Sequence, residues 1–360
     1  MDDIQKSEYK KACANCGAEL KFKPGSHQLT CEYCGYEEFI EQSKSSFEEL
    51  ELEHYLKIVG ENAYTETIEL LHCKNCGANQ HVEENYKSLN CVYCSEPLIR
   101  EDIEKEGWII PGALVPFQLD SKKAQSIFKD WVGKIWFAPD NLKKAALDPE
   151  GLHGLYMPYW TFDANLKASY QGQRGDYYYE TQTYNSNKGK RTRQVRKTKW
   201  NYVSGNIDGF VDDILINASE KKRKEIPPKV AFWNLKDLVV FNSKYLSGFV
   251  TEKYTVSLKE GHHKSFQEAK NIAYNWIRRD IGGDTQRIAN ADIKLSDEKF
   301  KHILLPIYLS SYRYDGKEFN FYINGQTGVL SGNRPYSFWK IFFLVLFILV
   351  IIAVFATFAK

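Results

Sequence analysis

Eight cysteines fall within the first hundred residues and nowhere else, in four pairs of one spacing: Cys13/Cys16, Cys31/Cys34, Cys73/Cys76 and Cys91/Cys94. The pattern recurs with a period of sixty. CANCGAEL is echoed by CKNCGANQ and CEYC by CVYC, so each copy reads C-x2-C-x14-C-x2-C. A C-x2-C on a tight turn presents two sulfurs from one loop, and a second such turn supplies the other two. Four thiolates about 2.3 Å from a common centre are the donor set of tetrahedral zinc. Two structural Zn2+ ions are therefore expected, one per quartet, each with a closed coordination sphere that leaves no position for water or substrate. Such ions stabilise folds too small to bury a core of their own. Gly17, Gly35 and Gly77 follow second cysteines, where the turn needs a positive φ, and Ser95 stands at the fourth such place. His27, His72 and His81 are surplus to four-cysteine sites and are expected on the surface.

The chain opens MDDIQKSEYKKACANC, with acidic residues at its start and no apolar stretch. That beginning and the thiol content predict a reducing, cytosolic setting rather than a disulfide framework. The far end predicts the opposite solvent. Ile341 to Ala359 reads IFFLVLFILVIIAVFATFA, nineteen residues without a charge. At 1.5 Å per residue they span about 28 Å, close to a bilayer's hydrocarbon core. Tyr336, Phe338 and Trp339 stand where an interfacial aromatic belt belongs. The expectation is a single-pass protein of the cell membrane, tail-anchored, with its N-terminal bulk in the cytoplasm.

Net charge is +2, but it is divided unevenly. Residues 1–100 carry 10 Lys/Arg against 18 Asp/Glu, so the head is acidic and the remainder basic. Two four-thiolate zinc sites would make the head more negative still. A nucleic-acid role for the ribbons is disfavoured on that ground, because phosphate binding needs cations. The basic residues concentrate instead at Lys188, Lys190, Arg191, Arg193, Arg196, Lys197 and Lys199, among Tyr177, Tyr178, Tyr179, Tyr184 and Trp200. This run reads as the solvated face of a hairpin, or as a site for an anionic partner: lipid, acidic protein or, less favoured, nucleic acid.

The alternation and helical periodicity divide the chain into zinc ribbon 1 (1–42), a linker helix (43–66) with Leu52, Tyr55, Leu56 and Val59 on one stripe, zinc ribbon 2 (67–100), an α+β body (101–335) and a membrane anchor (336–360). In the body, GALVPFQLD (112–120) reads as a strand and 121–136 as an amphipathic helix capped by Asp120 or Ser121. Long antiparallel strands follow, with Asn185, Asn187 and Gly189 in the turn between them. A weaker repeat is visible further on. FVTEKYTVSL precedes a second amphipathic helix at 265–283 with Ser265 and Glu268 as its capping box, and then an aromatic strand entered through Leu-Pro, as the first is entered through Met-Pro. The body reads as two related halves, 101–225 and 226–335, each a helix on a curved antiparallel sheet. His262-His263 reads as a polar turn. Asp212-Asp213 cannot form a carboxylate dyad if neighbouring strand residues face opposite ways. No G-x-x-x-x-G-K-[ST], H-E-x-x-H or G-x-S-x-G occurs. A non-enzymatic protein without a small-molecule substrate is expected.

Twin CxxC ribbons, ALVPF, the WFAP of Trp136–Pro139, LYMPYWTFDA, YQGQRGDYYY, VSGNIDGFVDDILINAS and NGQTG before an apolar tail occur together. Their combination resembles the bacterial TFIIB-type zinc-ribbon-containing membrane proteins over nearly the whole chain. The resemblance implies the eight cysteines as zinc ligands and no catalytic residues. It also implies partners among phage-shock PspA-like and SPFH-domain proteins, and hence a scaffold or adaptor that recruits proteins to the inner membrane face, in envelope stress. The alternative is a membrane-tethered nucleic-acid binder using 188–199.

Overall fold

The computed structural model describes residues 12–42, 49–59, 65–75, 77–81, 89–93, 96–98, 103–135, 137, 139, 152–186, 189–219, 226–314, 317–333 and 336–358. Cys76, Cys94 and Lys188, with parts of the expected linker at 43–48 and 60–64, lie outside them.

The sheet-rich body is built on two very long strands that cross at prolines. β11 (His153–Ser186) and β15 (Thr285–Tyr314) pair antiparallel, with Met157 opposite Leu305, Tyr156 opposite Pro306 and Pro158 opposite Leu304. Proline is tolerated here because the long strands keep most of their ladder on either side. Around the Met157/Leu305 pair two strand–helix units take matching places. The short strand β10 (Ala113–Leu114) leads into helix α1 (Ser121–Lys134), which leads to β11; yet β10 lies parallel to β15, with Ala113 opposite Ile303. The counterpart β14 (Val250–Glu252) leads into α2 (Leu258–Ile281), which leads to β15, and it lies parallel to β11, with Val250 opposite Leu155. Only Ala113 and Leu114 of the expected 112–120 strand are paired. Beyond them the Val115 N–H still donates to the Leu304 carbonyl, and Phe117 is buried in the same core as Ala124, Phe128 and Val132 of α1.

Both helices start where side chains satisfy their orphan amides. Asp120 accepts from the Lys123 N–H at 2.7 Å, as expected. The second helix begins earlier than predicted. Its capping box is Ser257 with Glu260, not Ser265 with Glu268, and Ser265 lies inside the helix donating to the His262 carbonyl. His262 and His263 are therefore helical rather than in a turn. Gly261 explains the misreading. It lies within the helix because any Cβ there would stand 2.8 Å from the Trp160 ring.

β12 (Gly189–Asn217) returns antiparallel along β11, so β12, β11 and β15 form a three-stranded blade with α2 on one face. Leu166, Ala168 and Tyr170 are buried against α2, whereas Lys167, Ser169 and Gln171 on the other face are exposed. β15 leaves the blade where Thr285 pairs with Gly175. Beyond that point β11 and β12 continue as a two-stranded ribbon from Asp176/Lys199 to Ser186/Gly189.

The cysteine segments do not stand apart from the body. The first forms a three-stranded sheet, β1 (Leu20–Lys23), β2 (Gln28–Cys31) and β3 (Glu37–Phe39). It docks through Phe22, whose ring meets Tyr245 edge-on at 5.0 Å and Phe249 at 6.4 Å. The Phe22 N–H donates to Ser247 O, and the Ser247 hydroxyl to Leu20 O. The second segment joins the main sheet. β5 (Thr65–His72) pairs with β6 (Asn79–His81) and β9 (Ile103–Ile109), and β6 pairs with β14. Between the segments, β4 (Leu50–Glu51) pairs with β15 and a short helix, Leu52–His54, widens into a π-turn over Tyr55–Val59. Leu52 and Tyr55 of the expected stripe are buried.

At the other end, β16 (Lys317–Asn324) and β17 (Leu330–Gly332) pair beside β15 and lead to α3 (Phe338–Phe358). This helix is long and apolar enough to cross a membrane, and its side chains face outward, away from the rest of the protein. It is the one such helix among the described residues. Its base is tied to the body where the Ser337 N–H donates to the Phe137 carbonyl at 2.7 Å.

Candidate metal centre

Cys13, Cys16, Cys31 and Cys34 come together as the spacing predicts, their sulfurs all within 4.8 Å of one another. Two pairs are closer, Cys13 to Cys34 at 3.4 Å and Cys16 to Cys31 at 3.5 Å. Those separations exclude a disulfide, whose S–S bond is about 2.05 Å. A tetrahedron with 2.3 Å metal–sulfur bonds has edges of about 3.8 Å, so the four sulfurs fit a metal ion with little rearrangement.

The backbone explains how two short loops reach this geometry. In each, the cysteine N–H donates five residues ahead and its carbonyl accepts from the glycine four residues ahead. Cys13 N–H reaches Ala18 O at 2.6 Å and Gly17 N–H reaches Cys13 O at 2.9 Å; Cys31 reaches Tyr36 at 2.8 Å and Gly35 reaches Cys31 at 3.0 Å. Gly17 and Gly35 have φ of 73° and 74°, which only glycine adopts without strain. The same loop recurs at Cys73, with Ala78 O at 2.8 Å, Gly77 N–H at 2.6 Å and a Gly77 φ of 72°. Cys91 N–H donates to Glu96 O at 2.8 Å in the fourth place. The first quartet is the one whose four sulfurs are all described, and it is the one cysteine group among the described residues able to hold a metal.

The sulfurs do not ionise alike. The Cys34 N–H above all draws Cys31 down to about 7. Against the Tyr36 N–H, which favours its thiolate, the neighbouring Cys13 sulfur and burial push Cys34 up to about 12. A cation among the four sulfurs removes that conflict, because it stabilises every thiolate at once. His27 is exposed, as expected, but its Nδ1 lies 2.8 Å from the Tyr245 hydroxyl and joins the docking contact. In the second segment Gln80 is buried and donates to Cys91 Sγ at 3.2 Å, a partner that sequence spacing alone does not reveal.

A second cluster was not foreseen. β12 carries an extra residue opposite Asp163, so that Phe162 pairs with Ile214 but Ala164 with Val211. In this bulge Asp213 takes a positive φ of 50°, and Asp212 and Asp213 come within 4.8 Å of each other and of Asp163. The expectation that they face opposite ways fails because it assumed an unbroken pleat. The Lys301 ammonium lies among these carboxylates, 3.3 Å from Asp213, 3.6 Å from Asp163 and 3.3 Å from Glu49. Burial pushes Asp163 up to about 6, against the Asp213 N–H and Lys301. Against its own burial, Lys301 and Lys299 hold Glu49 below the usual carboxylate range. The Lys301 ammonium already stands among these carboxylates and offsets part of their charge, so the group is an internal ion network that pins the segment between the two cysteine modules to β15.

The basic run lies on the ribbon, but not on one face. By register, Arg191, Arg193, Lys197 and Lys199 share the α2 face, and Lys190 and Arg196 share the other. Arg196 stacks over Tyr177 at 4.2 Å and Arg193 over Tyr184 at 5.6 Å, while Lys197 pairs with Glu180.

No family model matches the chain, and no solved structure matches it. The chain is similar to the uncharacterized protein YdjG of Bacillus subtilis (strain 168), with 25% identity over 331 residues, 91% of this chain and 91% of that protein. A likeness of that extent takes in most of the body.

Proposed function

We propose that this protein is a zinc-stabilised, membrane-anchored adaptor of the TFIIB-type zinc-ribbon kind, which holds partner proteins at the cytoplasmic face of the cell membrane. One observation carries the reading: a closed four-sulfur centre, packed into the same core as the body, with an exposed apolar helix leaving that body. Four cysteine ligands leave a metal no open position, so its role is architectural. The second quartet is proposed to take an equivalent Zn2+, which the matching loops at Cys73 and Cys91 support. The two β-α-β units about Met157/Leu305 are proposed to descend from one duplicated half. The resemblance stated above names PspA-like or SPFH-domain proteins as the partners and envelope stress as the setting.

The test is a pull-down of the full-length protein from detergent-solubilised membranes, with and without nuclease. Protein partners that survive nuclease and vanish when Cys13 and Cys31 are replaced by serine support the adaptor. Nucleic acid as the sole companion sinks it.

A further inference from the structure

The ribbon 176–199 is a surface that the adaptor reading leaves unused. It projects past the end of both α2 and β15, so each of its faces is open along its length. It carries six described cations against two carboxylates, Asp176 and Glu180. Asp176 is held by Arg174 at 3.0 Å and Glu180 by Lys197. Tyr178, Tyr179 and Tyr184 are exposed beside the cations. From Asp176 to Ser186 the ribbon runs about 34 Å, close to one 34–36 Å turn of duplex DNA.

The register decides between anionic partners. A bilayer leaflet or a flat protein surface meets one face of a ribbon, and cations selected for it would gather there. Here four cations lie on one face and two on the other. A partner that meets both faces must surround the ribbon. The major groove of a duplex does so: it admits a two-stranded β-ribbon and lines both sides with phosphates. Within a face the two-residue step is about 6.8 Å, close to the separation of neighbouring phosphates along one strand and equal to the axial rise of two base pairs. Position points the same way. His153 is linked through Leu309 and Tyr322 to Ser331, close to where α3 begins, whereas the ribbon's tip at Ser186 lies about 110 Å further along β11. The cations are thus far along the strand from the membrane-spanning helix.

We infer that the two-stranded ribbon 176–199 inserts into the groove of double-stranded nucleic acid, contacting phosphates from both of its faces and without base specificity. Arg193 and Arg196, each over a tyrosine ring, are the preorganised contacts.

The experiment uses the full chain in zwitterionic nanodiscs. Its probes are a 20-base-pair DNA duplex, phosphatidylglycerol vesicles and polyglutamate, compared at equal charge concentration. With six phosphate contacts, duplex affinity falls roughly a thousandfold between 50 and 200 mM salt. Changing Arg191, Arg193, Lys197 and Lys199 together to Gln flattens the log–log salt slope by roughly 3 to 4, and changing Lys190 and Arg196 to Gln flattens it by roughly 1 to 2. Unchanged metal content and amide exchange outside the ribbon show that each variant is folded. Duplex binding weakened by both sets supports the inference. Dependence on one set only, preference for vesicles or polyglutamate, or no binding at 50 mM salt overturns it. In the last case the cations serve to keep two open strand edges from pairing with other chains.

Discussion

Replacing Lys301 by methionine keeps the volume of the side chain and removes the one cation that Asp163, Asp213 and Glu49 share. Asp163 is only 1% exposed, and its Oδ2 has no hydrogen-bond donor. Asp213 and Glu49 side chains are 30% and 32% exposed and can recover water. Removing one partner of a fully buried pair costs about 3–5 kcal/mol. With two of the three carboxylates hydrated, the lower end applies, about 3 kcal/mol. For a chain of this size that lowers the unfolding midpoint by roughly 4 °C at pH 7, read from tryptophan fluorescence of the full chain in micelles. The deficit belongs to a stranded charge, so Asp163→Asn in the same background restores about 2 kcal/mol. It also shrinks as the pH falls through about 6, where Asp163, raised by burial and no longer held down by Lys301, takes up a proton. A Lys301→Met variant that loses less than about 1 kcal/mol, or one indifferent to Asp163→Asn, refutes the reasoning.

Further outcomes are expected. Asp163 is raised from 3.8 to about 6, so the folded state holds its proton more tightly than the unfolded one; stability falls as pH rises from about 4 to 6, by up to about 3 kcal/mol. Asp163→Asn flattens that window in denaturant titrations, and an unchanged slope counts against the assignment. Metal analysis gives two zinc ions per chain and one after Cys31→Ser; one ion in the native protein would remove the second site. Phe22→Ala strips a buried ring from the docking contact, costs about 3–5 kcal/mol, and speeds amide exchange across 12–42 more than in the blade. Gly209→Val drives its side chain into Trp276, whose ring already stands 2.7 Å from a Cβ there; it lowers the midpoint through α2, a loss absent from Asn206→Val on the open face.

The cysteine loops were legible because their geometry is local: two sulfurs, a glycine and a five-residue turn carry it whole. The long strands were legible for the same reason, since alternation at Leu166, Ala168 and Tyr170 needs only one covered face. What escaped depends on distant chain. Phe22 alternates as a ribbon residue should, and nothing nearby says that Tyr245 and Phe249 receive it. Two S-x-x-E boxes compete for the start of α2, and the choice falls to Gly261 passing close to Trp160. The bulge at Asp213 is a register event between strands, invisible to a rule that assumes regular pleating. The Lys301 network follows from that bulge and was hidden with it.

The exchange of edge strands about Met157 and Leu305 governs the order in which this protein can be made. Ala113 must wait for Ile303, while Val250 reaches back to a strand translated long before it. Neither β-α-β unit completes its own sheet, so an amino-terminal fragment leaves β10 without β15 and one edge of β11, the one not held by β12, bare. Contacts so distant along the chain form late and slowly. Synthesis therefore proceeds for much of its course with the β11–β12 hairpin open along one edge, and the core closes only once β15 has emerged, shortly before the apolar helix that follows it.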